Sequence, residues 1–222
     1  MKVPLFIIPL VAAVSAVFFR QAGGPFWLGP NFDPSYIYLM NSLYLLDGIT
    51  PIFVDHPGTT AQLLGAAVIK CLTIGLTSAQ RLDRVITDPE YFLHAIHYLF
   101  IALFVLSLLA VGWYGYRRTK DVLFALFLQL PAFFYFTVIP DEQPVMVNVN
   151  SEALLITFLN IFILFLLRWY DGSPEEDPKN IIYLAVVSAL ALTTKVTFLP
   201  LIIIPLLLIP RWKGRLYYVV TA

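Results

Sequence analysis

Cysteine occurs once in the chain, as Cys71, which rules out an internal disulfide framework and any multi-thiolate metal site. A lone thiol of this kind is expected to be a small packed residue. Charge is scarce too. Asp, Glu, Lys and Arg make up 13% of the residues, about half the share of an average soluble domain. Fourteen basic residues balance fourteen acidic ones, so the net charge is zero, and no basic surface points to nucleic acid. The chain also lacks a phosphate-cradling glycine loop, a dinucleotide fingerprint, a Ser-His-Asp order and any internal repeat.

What the chain has is long apolar runs. Hydrophobic residues reach 59% and the mean hydropathy is +0.81, in blocks rather than in stripes, which requires lipid to cover them. Val3 to Phe19 follows Met1-Lys2 without a clear small-residue cleavage site, so it is expected to be a first, uncleaved span. Further blocks run from Ala95 to Tyr116, Val122 to Pro140, Ala153 to Leu167, Ile181 to Thr194 and Val196 to Pro210. The expected architecture is an all-α polytopic membrane protein, with residues 1–222 forming a single transmembrane domain. Leu216 to Val220 opens another apolar run, so the chain is expected to be the N-terminal part of a longer protein.

Orientation follows from the cations. With a cytoplasmic N-terminus, nine of the fourteen fall inside, at Lys2, Arg117, Arg118, Lys120, Arg168, Lys179, Arg211, Lys213 and Arg215. The acids gather on the other side. Ile181 to Pro210 is too short for two full crossings, since it makes about 45 Å of helix at ~1.5 Å per residue. A short helical hairpin turning near Lys195 to Pro200 is therefore expected.

The segment from residue 20 to residue 90 is too long for a plain connector and is expected to be a functional loop on the outer, periplasmic or luminal, side. Pro34 to Leu46 carries Ile37, Met40 and Tyr44 at helical spacing, and Asp33-Pro34 is a good helix start. Thr59-Thr60 is expected to cap a second helix, Ala61 to Leu76. Burying Lys70 mid-bilayer would cost about 3 kcal/mol, so both helices are expected to lie along the interface on apolar undersides.

Two loop motifs stand out: Asn31-Phe32-Asp33-Pro34-Ser35-Tyr36 and, about twenty residues on, Asp55-His56-Pro57-Gly58-Thr59-Thr60. In this order after a first span, they resemble the first outer loop of the GT-C glycosyltransferases, closest to the protein O-mannosyltransferase and aminoarabinose transferase branch. Leu192-Thr193-Thr194-Lys195 and Leu199-Pro200-Leu201 extend the likeness over the whole chain. Two positions depart from the pattern: Pro34 stands where the family has a second loop acid, and Gly58 stands where it has a second motif proline.

The resemblance implies a GT-C-like helical bundle and a polyprenyl-phosphate-linked sugar donor. The sugar passes with inversion to an acceptor hydroxyl or amine on the outer side. Asp33 is the candidate general base, because a positioned carboxylate can take the acceptor's proton; it is equally suited to capping a helix. His56 is placed to meet the donor phosphate and Asp55 to orient that imidazole, although Pro-Gly is ordinary turn chemistry. Glu152 matches an acid that opens the fourth span, or simply compensates the helix dipole. Lys195, flanked by apolar runs, is expected to meet the lipid phosphate or to snorkel. Should a divalent metal take part, Asp33, Asp55 and Glu152 are the ligands on offer. His94 and His97 are expected to make polar helix-packing contacts, and Trp169, Tyr170, Trp212, Tyr217 and Tyr218 to form an interfacial belt. A transporter or lipid-handling protein, and an inactive scaffold of the same fold, are the alternatives.

Overall fold

The computed structural model describes residues 3–28, 35–52, 58–135, 147–171, 178–209 and 212–221. Every described element is helical. Helix α1 is Ile7–Ala22, α2 Ser35–Leu46, α3 Thr59–Leu72, α4 Ser78–Thr87 and α5 Pro89–Thr119. Then come α6 Val122–Leu128, α7 Ala132–Tyr135, α8 Ser151–Asp171, α9 Pro178–Thr194, α10 Leu199–Leu208 and α11 Trp212–Thr221. Three stretches are long and apolar enough to cross a membrane: Val3–Ala22, Pro89–Thr119 and Ser151–Tyr170.

Helix α5 is the axis. Its 31 residues make about 46 Å of helix, well beyond a ~30 Å hydrocarbon core. Pro89 fixes its first turn, Glu90 sits at the positive end of the dipole and Arg117 and Arg118 at the negative end. Phe92, Ile96, Phe100, Phe104, Leu108 and Val111 form its buried face. At Gly112 a β-carbon would lie 2.7 Å from Gln129 Cδ, and at Gly115 one would lie 2.5 Å from Leu128 Cδ1. Both glycines let α6 come close. Between α5 and α8, Asn160 Nδ2 donates to Ser107 Oγ at 2.9 Å.

The ends of the bundle differ in charge. Arg118 reaches the Leu167 carbonyl at 3.5 Å and lies over the Tyr170 ring, so the basic ends of α5 and α8 meet. At the opposite end, the close of α1, the starts of α5 and α8 and the close of α9 come together through contacts of Arg20 with Val147, Phe26 with Glu90 and Lys195 with Glu152. The chain turns at Lys195 between α9 and a short 3-10 helix, Val196–Phe198, and it returns so that Gly214 neighbours Ile181. That is the short hairpin expected from the length of the apolar run. Helix α11 then climbs α9, with the Tyr218 and Ser188 hydroxyls 2.7 Å apart.

Several local expectations are corrected. The outer segment holds three described helices rather than two, because Gly75 in a left-handed turn (φ +85°) stops α3 early and Thr77 caps α4 with Gln80 in a reciprocal capping box. Helix α3 turns Ala61, Ala66 and Ile69 inward against neighbouring helices and leaves Leu63, Ala67 and Leu72 exposed. Thr59 and Thr60 are the first helical residues, and the N-cap is Gly58. Val122 to Pro140 does not continue as one helix: it breaks after Leu128, where Gln129 turns its amide to the Leu5 and Leu108 carbonyls at 3.1 and 3.0 Å. Trp169 and Tyr218, expected in the belt, are buried, whereas Tyr170, Trp212 and Tyr217 are exposed. Cys71 is exposed rather than packed.

Candidate functional site

Glu152 and Lys195 form an ion pair, with Lys195 Nζ on Glu152 Oε1 and the two side chains 22% and 20% exposed. The local sequence explains both positions. Asn150 Oδ1 caps α8 by accepting from Ala153 N–H at 3.2 Å, and Ser151 Oγ meets Glu152 Oε2 at 3.2 Å, which holds the carboxylate in the first turn. Lys195 is the extended residue (φ −156°, ψ 130°) between α9 and the 3-10 helix, so its side chain leaves the bundle where the helix is interrupted. Two candidates more than forty residues apart in sequence thus share one site.

Asp33, Asp55 and His56 lie outside the described residues. Their described neighbours are anchored beside the ion pair. Ser35 Oγ accepts from Val149 N–H at 3.0 Å, three residues before Glu152. Gly58 N–H donates to the carbonyl of Thr194, next to Lys195, at 3.1 Å. Thr60 adds bonds of 3.1 Å to the Leu190 carbonyl and the Thr193 hydroxyl.

The backbone at Gly58 requires glycine. Its φ is +48°, and a proline is locked near −65° and carries no N–H for Thr194. A β-carbon there would stand 2.6 Å from Tyr38 Cε1. Gly58→Ala is therefore expected to destabilise by about 1–3 kcal/mol through left-handed strain. Gly58→Pro is expected to do more damage. Thermal unfolding in detergent checks the order; a Pro variant as stable as wild type would contradict it.

Glu90, an acid in the first turn of α5, belongs to no motif in the sequence. Its carboxylate accepts from Phe26 N–H at 3.1 and 3.2 Å and from the Tyr36 hydroxyl, joining the chain after α1 to the start of α2. Burial first, and then the bond to Glu90, push the Tyr36 phenol above its usual range, so it stays a donor at any working pH. Buried Arg20 lies 3.9 Å over the Phe26 ring and donates to the Val147 and Gly24 carbonyls. His94 packs on Phe26 and Tyr98, and His97 is buried against Phe26. Both histidines pack between helices, but through their ring faces and edges rather than through the polar contacts expected of them.

An open apolar groove of about 370 Å³ runs along α2, lined by Tyr36, Ile37, Met40, Asn41, Tyr44 and Ile52. Ile37, Met40 and Tyr44 are the residues whose helical spacing marks this stretch in the sequence. Among the described residues, no three His, Cys, Asp or Glu side chains gather as a metal site. Glu152 already has Lys195 on one oxygen and Ser151 on the other. It fits the role of an ammonium partner rather than that of a cation ligand.

The described fold defines an all-helical chain with three helices suited to crossing a membrane and a polar, acid-bearing end where the loop helices attach. No family model, curated protein or solved structure matches it.

Proposed function

We propose that this chain works as a membrane glycosyltransferase, taking a sugar from a polyprenyl-phosphate donor on the periplasmic or luminal side. The observation that carries the reading is the Glu152–Lys195 pair, with the chain flanking both loop motifs hydrogen-bonded beside it at Ser35–Val149 and Gly58–Thr194. Asp33 stands two residues before Ser35 in sequence, and His56 two before Gly58.

In this mechanism the donor phosphate exchanges with Glu152 as the partner of Lys195, and the polyprenyl chain follows the α2 groove. The acceptor oxygen or nitrogen attacks the anomeric carbon as Asp33 takes its proton. The carbon–oxygen bond to the phosphate breaks on the opposite face, and polyprenyl phosphate leaves with the electron pair. Lys195 meets the charge that develops on that phosphate, and His56, oriented by Asp55, supplies a further hydrogen bond. No step needs a metal.

A transporter is the second reading, favoured by one feature: a charged pair at a helix interruption resembles the broken helices of transporters. The test is transfer of labelled sugar from a polyprenyl-phosphate donor by the purified protein in vesicles. Sugar transferred to an acceptor supports the enzyme; donor crossing the bilayer unchanged supports the transporter.

The charge split between the bundle ends also predicts sidedness. In a Cys71→Ser background, a cysteine replacing exposed Asp83 should react with a membrane-impermeant thiol reagent in sealed cells, and one replacing Arg118 should not. Labelling in the opposite pattern overturns the orientation.

A further inference from the structure

The far corner of the α2–α3–α4 layer has no part in the proposed chemistry, yet it is strongly built. Two tight turns meet there. One follows α2 at Asp47-Gly48-Ile49, with Gly48 at φ +70°, and the other joins α3 to α4 at Thr73-Ile74-Gly75-Leu76, with Gly75 at φ +85°. A β-carbon on either glycine would find nothing within 4 Å, so both turns project into open space.

Arg81 staples the turns together. It is buried, and it reaches Asp47 Oδ1 at 3.4 Å, Thr73 Oγ1 at 3.2 Å and the Leu76 carbonyl at 3.5 Å. Thr77 and Gln80 satisfy each other's backbone N–H groups in the capping box, at 3.0 and 3.4 Å. The corner therefore keeps its polar groups occupied internally while displaying apolar ones. Ile74 is 77% exposed and Ile49 52%, and Leu76, Leu82 and Ile86 continue the apolar surface along α4. Lys70 and Arg84 stand exposed on the flanks.

We infer that this corner is a membrane-docking tip. Ile49, Ile74 and Leu76 enter the interface of a bilayer while Lys70 and Arg84 meet anionic lipid headgroups. Apolar tips with their polar groups satisfied cost little to insert, and each flanking cation near an anionic leaflet adds about 1 kcal/mol. A lipid partner fits better than a protein one because the same chain carries three candidate spans and so holds the bilayer beside this layer. Contact centres on the turns, where Ile74 is the most exposed of these apolar side chains, and Ala61 and Ile69 of α3 are packed on the protein.

The experiment places single nitroxide labels on the full chain in vesicles, in a Cys71→Ser background. Ile74→Cys and Leu76→Cys report the tip, Asp83→Cys serves as the exposed reference and Val14→Cys, exposed on α1, as the bilayer reference. In phosphatidylcholine with phosphatidylglycerol, labels at 74 and 76 should meet oxygen more readily than a water-soluble nickel chelate, as at 14, with the reverse at 83. Lowering phosphatidylglycerol should raise nickel access at 74 severalfold, and Lys70→Gln with Arg84→Gln should remove that dependence. Tip labels that behave like position 83 overturn the docking, as does shielding from both reagents, which would mean a protein cover. A nickel-accessible Val14 label would overturn the membrane reading and the docking with it. None of these outcomes depends on glycosyl transfer.

Discussion

Asp33→Asn is expected to lower sugar transfer by about 10²–10⁴-fold, the range a positioned general base supplies, while donor binding stays within a few fold of wild type. The amide keeps the side-chain volume and can still cap a helix, but it cannot accept the acceptor's proton. Expression and thermal stability should therefore match wild type, which separates the catalytic role from the capping role. Turnover is measured at saturating lipid-linked donor in vesicles. Undiminished turnover would make Asp33 a helix cap and shift the base to Asp55.

Arg20→Ala is expected to give the largest loss of stability in the chain. The guanidinium is buried, covers Phe26 and bonds the carbonyls of Val147 and Gly24. Hydrogen bonds to a charged group contribute about 1.5–3 kcal/mol, so losing two of them together with the ring contact should cost about 3 kcal/mol after relaxation. For a chain of this size that is a fall in Tm of roughly 6–12 °C. Arg20→Lys should recover only part, because a compact ammonium cannot both cover the ring and fork to two carbonyls. Thermal unfolding in detergent gives the comparison, and an alanine variant within 2 °C of wild type would contradict this account of the α1 end.

Apolar block lengths made the helices legible. The stop of α5, the extent of α8, the turn at Lys195 and the helix over Ser35–Leu46 follow from hydropathy, terminal charges and length arithmetic, whereas α5 begins at Pro89, ahead of the apolar block expected from Ala95. The failures have local causes. Helix α4 is polar enough to read as loop, and only its Thr77–Gln80 capping box marks it. The break after Leu128 is invisible because Gln129 gains its carbonyl partners from Leu5, just before α1, and from Leu108 of α5, which are remote in sequence. The inward turn of α3 could not be separated from an outward one, since small residues such as Ala61, Gly65 and Ala66 suit either. Within the site, Glu152 and Lys195 stood out as charges at apolar boundaries, but their pairing is tertiary. Glu90 shows the converse limit, because an acid in a first helical turn has a sufficient local explanation that hides its bonds to Phe26 and Tyr36.

Binding of a polyprenyl phosphate to the purified chain in vesicles tests the central claim most directly, because it needs no knowledge of the sugar or the acceptor. The wild-type chain should bind saturably. Lys195→Met, which keeps an apolar stem of similar length but removes the cation, should weaken binding by about tenfold, equivalent to ~1.4 kcal/mol. Met40→Trp, which fills the α2 groove, should weaken binding of a long-chain polyprenyl phosphate but leave a short-chain analogue unaffected. Saturable binding that depends on both Lys195 and chain length is the predicted result; absence of saturable binding, or equal affinity in the Lys195→Met variant, would contradict it.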